Sequence, residues 1–488
     1  MRKGEKKMKR FLPAILFSLA IGLSIPFLAT YRNFYFALTA LFLGLLFFIV
    51  KRKKPTIYDF LILLIIFIPF HQFRLGAGGY FLRLTELPFI PLFIFWIGRM
   101  IVNKDMRIKS IYIEHLILFM FIILSYVSIV KSLYPTESIY RTLVLSYLIT
   151  LSFIISDIIR EKERLFLMIK TLLIVSTLAC IAGIIQSFIP HPILLAHSFP
   201  FTTIGPIKIY RALCGWDNPN YFALYLSIIM PITISLLLSK KFKEKRALKI
   251  CLSMQLLGLM ATFSRAGIVA AVMSFLFLLW FYKKKVLALT ILIIIITFLL
   301  LTWFGIDFLH KNNRFLYNLI FRSSIELIKE HPKHMLIGRW DAWIANINIF
   351  LDNPFLGVGP WMAKEYFVHY APSFIDPRID PLVQKGEGFA PHQEYLATLS
   401  EKGIFAFLLY IMFLIILLRR GIITFKNHKN TQLGAIILGL TAGVFSFLVS
   451  GFGEHVINDV AFWVITGLLL ATYKIIQKEK TPANRLFM

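Results

Sequence analysis

Long apolar runs separated by short basic blocks constrain this chain more than any other feature. "FLILLIIFIPF", "VLALTILIIIITFLLLTWFGI" and "FAFLLYIMFLIILL" reach or approach the ~20 apolar residues with which a helix crosses a ~30 Å hydrocarbon core. Hydrophobic residues make up 58% of the 488, against roughly 45–50% in an ordinary soluble domain, and no soluble core requires so many. The fold class this predicts is all-α: a polytopic membrane helix bundle of about 12–14 spans.

The basic blocks give the orientation. A formal net charge of +28 would suit nucleic acid if it covered one surface. Instead the positive residues sit in "MRKGEKKMKR", "KRKK" at 51–54, "KKFKEKR" at 240–246, "KKK" at 283–285 and "RR" at 419–420, with "NKDMRIK" and "REKER" completing every second loop. That is the positive-inside pattern, a topology signal, so the partner is the lipid bilayer and no nucleic acid is expected. Spans are predicted near 11–29, 34–50, 57–72, 87–102, 111–130, 140–159, 165–188, 219–238, 248–263, 266–282, 286–304, 403–420, 431–450 and 458–475, with both termini cytoplasmic. The first thirty residues have the basic head and apolar stretch of a signal peptide, but no small-residue cleavage site follows and more spans do, so they are expected to remain as the first helix. Cys180, Cys214 and Cys251 are scattered and imply no disulfide framework.

This topology divides the chain into a transmembrane bundle at 1–304 with an outer loop at about 189–218, a large external loop domain at 305–402, and C-terminal transmembrane helices with a cytoplasmic tail at 403–488. Loops longer than about 12–15 residues are usually functional. The large loop is predicted to be partly helical. "SSIE" offers a capping box at Ser323 and Glu326, and "RWDAWIANINIFLDNP" keeps Trp340, Trp343, Ile347 and Leu351 on one face before Asn353-Pro354 stops it. Such a helix is expected to lie on the outer leaflet or to cap the bundle.

Several polar residues fall at the outer boundary, where an isolated charge is costly without a partner or water. Arg265 lies at the turn between two short spans, Arg211 precedes an Asn-Pro-Asn turn that opens a span, and Arg339 heads the tryptophan-bearing helix. Taken singly, each suits a lipid headgroup or solvent. Converging from separate segments, they suit phosphate, whose oxygens match guanidinium forks in geometry and charge. His392 follows Pro391 at the start of a membrane helix, and an imidazole with an unperturbed pKa near 6.5 can take a proton from a hydroxyl. The positive end of the helix dipole favours its neutral form. His455, in "GFGEHVINDV", is a comparable candidate, and Asp376 and Asp380 read as solvated loop carboxylates. No cluster has metal-ligand spacing, and no Walker loop or dinucleotide fingerprint occurs, so neither metal nor cofactor is expected.

Taken in order, "YRALCGWDNPNYFALYL", "ATFSRAGIVAA", "RWDAWIANINIFLDNPFLGVGP" and "PHQEYLATLSEKGIFAFLLY" resemble the O-antigen ligase and polymerase superfamily of bacterial envelope glycosyltransferases. Each segment carries a piece of the family pattern: Arg before Asn-Pro-Asn, Ser-Arg-small at a turn, Arg-Trp leading to Pro-x-x-Gly-Val-Gly, and His-x-x-x-Leu followed by Glu-x-Gly. The family usually has Asn after this histidine, where this chain has Gln393. The resemblance implies a glycosyltransferase that moves a glycan from undecaprenyl diphosphate to an acceptor on the outer, periplasmic side of the cytoplasmic (inner) membrane, without metal or nucleotide sugar. Its acceptor is expected to be lipid A-core, with another carrier-linked glycan or a protein hydroxyl as alternatives within the superfamily. By the same resemblance Arg211, Arg265 and Arg339 hold the diphosphate, and His392 is the catalytic base of an inverting displacement. The rival from another class is a lipid-linked glycan flippase, which should show repeated halves and polar groups near the midplane.

Overall fold

The computed structural model describes residues 56–70, 74–75, 82–102, 112–188, 200–204, 207–284, 286–287, 289–293, 339–370 and 390–480. In chain order its helices are α1 (Ile57–Phe67), α2 (Glu86–Val102), α3 (Ile113–Val127), α4 (Pro135–Ile158), α5 (Lys162–Gln186), α6 (Pro219–Leu238), α7 (Lys245–Ala261), α8 (Arg265–Phe281), α9 (Arg339–Asp352), α10 (Ala363–Tyr370), α11 (Glu394–His428), α12 (Gln432–Ser450) and α13 (Val460–Lys480). Two short antiparallel pairs, β1 (Arg74–Leu75) with β2 (Leu82–Arg83) and β3 (Pro200–Ile204) with β4 (Ile207–Tyr210), are the strands among the described residues. The protein is an all-α membrane bundle, and seven of the described helices are long and apolar enough to cross a bilayer. The spans expected at 11–29 and 34–50, most of 286–304, and the capping box at Ser323 lie outside the described residues.

Local sequence explains where the helices begin. Asn218 accepts from the amide of Asn220 while Pro219 occupies the first turn of α6, and Ser264 and Thr431 cap α8 and α12 through Gly267 and Gly434. In the core, α12 packs on α6, α8 and α11, and α13 on α4. Small residues permit these approaches. A Cβ at Gly443 would stand 2.5 Å from the Ile228 carbonyl oxygen, and one at Gly439 2.8 Å from the Ile232 Cα, so the Gly439/Gly443 spacing lets α12 lie directly against the α6 backbone.

The expected span at 403–420 is the lower part of a longer element. α11 runs unbroken in hydrogen-bonded register except at Gly403, whose φ of +77° interrupts it. There the loop after α9 replaces the lost helical bonds. The Val358 amide donates to the Ser400 carbonyl, Gly359 to that of Glu401, and Ile404 to that of Pro354. A Cβ on Gly403 would sit 2.0 Å from the Phe355 carbonyl oxygen, and one on Gly357 2.3 Å from the Glu401 carbonyl carbon. The Pro-x-x-Gly-Val-Gly and Glu-x-Gly stretches are therefore two halves of one backbone clamp.

α9 ends at Asn353-Pro354 as expected, but its bundle-facing side is not the tryptophan stripe. Ala342, Ala345, Asn346 and Ile349 are buried, and Asn346 accepts from the Ser400 hydroxyl of α11 at 2.6 Å. Trp340, Ile347 and Leu351 stay exposed. Small residues win this face because they let α9 approach α11 closely.

Charged groups gather at the two ends of the bundle. At one end Asp157 receives Trp96 Nε1, Arg99 and Arg160 at 2.9–3.1 Å, and Arg420 pairs with Glu114. At the other lie the segments that carry Arg211, Arg265, Arg339 and His392.

Candidate functional site

Three loop-to-helix junctions build the site. The first is the end of β4. Tyr210 donates its amide to the Ser187 carbonyl at the end of α5, Ala212 donates to Ala261 at the end of α7, and the Gln186 side chain accepts from the amides of Leu213 and Cys214. Arg211, held between them, is buried. Its Nε donates to the Thr262 carbonyl at 2.7 Å and its Nη2 to Asn220 Oδ1 at 2.8 Å, so it braces the turn that presents Arg265.

The second junction is the α7–α8 turn. Phe263 takes a left-handed φ of +49°, Ser264 caps α8, and Arg265 is the first residue of that helix, exposed and within electrostatic reach of Arg339. Two guanidinium charges therefore act on one another at the start of α8, a setting whose chemistry suits an anion.

The third is the start of α11. His392 has a left-handed φ of +47°, an uncommon state for a non-glycine residue, between Pro391 and the cap. Gln393 supplies that cap, its Oε1 accepting from the Leu396 amide at 2.6 Å. The longer amide thus performs the N-cap role open to an asparagine here. Cys214, Phe263 and Trp361 also have positive φ in the segments around this site, the kind of backbone strain that accumulates where geometry serves function.

Glu454, in the α12–α13 loop, joins the three. Its Oε1 accepts from Arg339 Nη2 at 2.7 Å and from Asn220 Nδ2 at 2.6 Å, and its Oε2 stands 3.2 Å from His392 Nδ1. Burial would raise its carboxyl pKa, but the hydrogen bond and charge of His392, the Arg339 charge and the Asn220 amide together hold it below the usual carboxylate value. A carboxylate only accepts, so in this contact the proton is carried on His392 Nδ1. Glu394 fixes the loop: its Oε2 accepts from the amides of Val456 and Ile457 at 2.8 and 2.9 Å, and its own amide donates to the Gly451 carbonyl. Gly453 keeps the loop close, since a Cβ there would lie 3.2 Å from Ala266 Cβ and 3.6 Å from Arg339 Nη1.

Arg211, Arg339 and His392 thus join one hydrogen-bonded network through Asn220 and Glu454, with Arg265 within electrostatic reach of Arg339. His455 takes a different part. It is largely buried, stacks on Trp361 at 5.0 Å, and burial, followed by the charges of Lys402, Arg141 and His392, pushes its pKa down to about 3. It is a neutral packing group. Glu454 and Asn220 were not selected from sequence, although a carboxylate in a turn between two spans, on the face predicted for His392, carried the signal.

Residues 250–411 match the family model described as O-Antigen ligase. The chain carries an O-antigen ligase domain. The match runs from within α7 to within α11 and so includes Arg265, Arg339, His392 and both halves of the clamp at Gly403, while Arg211, Asn220 and Glu454 reach the same cluster from outside it. A comparison with curated proteins finds no match. The ligase domain gives the chain a glycan-transferring role of the ligase/polymerase type and places it among integral membrane proteins.

Proposed function

We propose that the protein transfers a glycan from undecaprenyl diphosphate to a hydroxyl of lipid A-core on the periplasmic side of the inner membrane, with inversion and without metal. The observation that carries this reading is the Glu454 carboxylate shared between His392 Nδ1 and Arg339, which sets the imidazole beside a guanidinium that Arg265 also feels. His392 Nε2 accepts the proton of the acceptor hydroxyl as its oxygen attacks the anomeric carbon. The bond from that carbon to the diphosphate oxygen breaks, and the electron pair leaves with the diphosphate and its lipid. Arg265 and Arg339 meet the charge that grows on the leaving group, and Arg211 adds positive charge from behind while holding the Arg265 turn. Glu454 stabilises the imidazolium that forms.

The test is reconstitution of purified protein in lipid nanodiscs with undecaprenyl diphosphate glycan and lipid A-core. Glycosylated acceptor of inverted anomeric configuration should appear in step with free undecaprenyl diphosphate, and a chelator should leave the rate unchanged. Growth of carrier-linked glycan instead would make the protein a polymerase. Failure of His392→Ala to slow any transfer would remove the mechanism.

A further inference from the structure

At the end of the bundle away from His392, cations outnumber the carboxylates that hold them. Asp157, buried at the end of α4, accepts through Oδ2 from Trp96 Nε1 at 3.1 Å and Arg99 Nη2 at 3.0 Å. Its Oδ1 accepts from Arg160 Nη2 at 2.9 Å and stands 3.7 Å from Lys474 Nζ. Arg160 is fixed a second time, since its Nε donates to the Asp157 carbonyl at 2.8 Å. Arg164 of α5 lies over the Tyr58 ring at 4.2 Å, and the Tyr58 hydroxyl donates to the Ile158 carbonyl. Tyr58 feels the charges of Arg164, Glu161, Arg99 and Arg160 together, and Lys474 those of Asp157, Arg160 and Arg99. Arg99, Arg160, Arg164 and Lys474 thus stand against Asp157 and Glu161, and Glu163, exposed in the same turn of α5, does not reverse the balance. Lys162 is taken by Glu479 at 2.6 Å. Arg99 and Arg160 remain 34% and 36% exposed, open to a ligand from outside. The same corner is greasy: one turn before Arg99, Phe95 is exposed and packs on Phe60 of α1 at 5.1 Å, with Ile94 and Val102 exposed nearby on α2. Guanidiniums fixed on a buried carboxylate beside an exposed apolar seam complement a molecule with a phosphate head and an acyl chain.

We infer that this corner binds an anionic phospholipid, its phosphate held by Arg99, Arg160 and Arg164 and an acyl chain lying along the Phe60–Phe95 seam. Asp157 sets the geometry. It holds two guanidinium forks in place before the lipid arrives, so little side-chain freedom is lost on binding. A zwitterionic lipid brings its own cation to the same spot and gains less. Arg160 and Arg164 belong to "REKER", one of the basic blocks that the positive-inside pattern predicts to be cytoplasmic, and the cytoplasmic leaflet is the one with negative surface potential. The inference is independent of the transfer reaction, whose groups lie at the other end of the bundle.

The test titrates delipidated full-length protein in detergent with dilauroyl phosphatidylglycerol or dilauroyl phosphatidylcholine and reads bound lipid by native mass spectrometry. Phosphatidylglycerol should bind at concentrations where phosphatidylcholine does not. Arg164→Gln, which leaves the bonds to Asp157 in place, should weaken that binding about fivefold, and Arg160→Gln combined with it about 30-fold, as one and two headgroup cations are lost. Lys283→Gln with Lys284→Gln, an exposed basic pair just past α8, should leave it unchanged. Equal binding of the two lipids, or an equal loss in the lysine pair, would show diffuse surface charge and overturn the inference. Inorganic phosphate in large excess should not displace the lipid; displacement would reduce the corner to a plain anion site and overturn the lipid assignment. A second measurement needs no variant to fold. Phosphatidylglycerol should raise the unfolding temperature of the wild-type protein more than phosphatidylcholine does, because a ligand of the folded state stabilises it, and equal shifts would also overturn the inference.

Discussion

Glu454→Gln is the most informative substitution, because it keeps shape and an amide oxygen while removing one charge. Glu454 is 5% exposed and the His392 side chain 27% exposed, so their interaction is only partly screened. At contact distance, a unit charge pair with an effective dielectric constant near 20 is worth about 4 kcal/mol, and partial exposure of the ring brings that to about 2–4 kcal/mol. This energy is absent while the imidazole is neutral and present when it has taken the acceptor proton, so it lowers the barrier to the chemical step. Its loss should slow transfer between about 30-fold and about 1,000-fold. The glutamine oxygen can still accept from Asn220 and Arg339, so stability should fall by only about 1–3 kcal/mol. Initial rates at saturating donor and acceptor, beside thermal unfolding in the same detergent, separate the two effects. The decisive comparison is a double-mutant cycle. If Glu454 acts through His392, then Glu454→Gln adds almost nothing to His392→Ala, whereas two losses that multiply would refute the positioning role.

His392→Gln and His392→Ala should both abolish transfer while leaving donor binding intact, since the group acts in the chemical step; single-turnover rates and a separate binding measurement check this. Arg265→Ala and Arg339→Ala should cut transfer with only partial rescue by lysine, which lacks the planar fork, whereas Arg211→Ala should also lower the unfolding temperature because it unbraces the α7–α8 turn. For pH the sign follows from Glu454. Its folded pKa is depressed, so its bonds are complete above the unfolded-state value near 4.3 and are lost only as pH falls through the lower folded one. As pH falls from about 5 through the lower folded value the Glu454→Gln penalty on stability should therefore shrink, as unfolding at several pH values can show. Gly403→Ala should cost about 3 kcal/mol or more, because it adds a positive-φ penalty to a clash with the Phe355 carbonyl; expression and thermal unfolding read it out.

The sequence carried the bundle plainly because membrane spans are long, one-dimensional signals: α3 to α8, α12 and α13 fall close to the apolar runs that predict them. The first nine residues of α11 lie ahead of the span expected at 403–420, because the helix carries on across a kink at Gly403 that another segment holds. The β3–β4 pair lay in "PFTTIGPIKIY", whose β-branched residues flanking Gly-Pro are a hairpin pattern inside a loop. At the site, each arginine and the histidine stood in a short motif and could be found locally. Glu454 could not be assigned to His392 in that way, for 62 residues separate them and only the packing of α12 against α11 brings them together.

The distribution of buried charge bears on whether such a bundle moves a lipid-linked glycan or reacts with it. A transporter needs polar or ionisable groups near the middle of its spans, where the cargo head pauses. Among the described residues the buried charged groups fall into two sets: Asp59, Glu114 and Asp157 at one end, and Arg83, Arg211, Glu394, Glu401, Lys402, Glu454 and Asp459 toward the other. Between them the buried polar side chains are hydroxyls such as Ser227, Thr233, Ser274 and Thr441, which mostly return their protons to carbonyls of their own helix, and one amide, Gln255, which donates to Ser176. No described buried carboxylate, lysine or arginine falls between the two sets. A diphosphate held at Arg265 and Arg339 would therefore meet no charged relay toward the opposite face, but it would lie beside an imidazole already oriented by a carboxylate. That arrangement favours chemistry at one face over passage through the bundle.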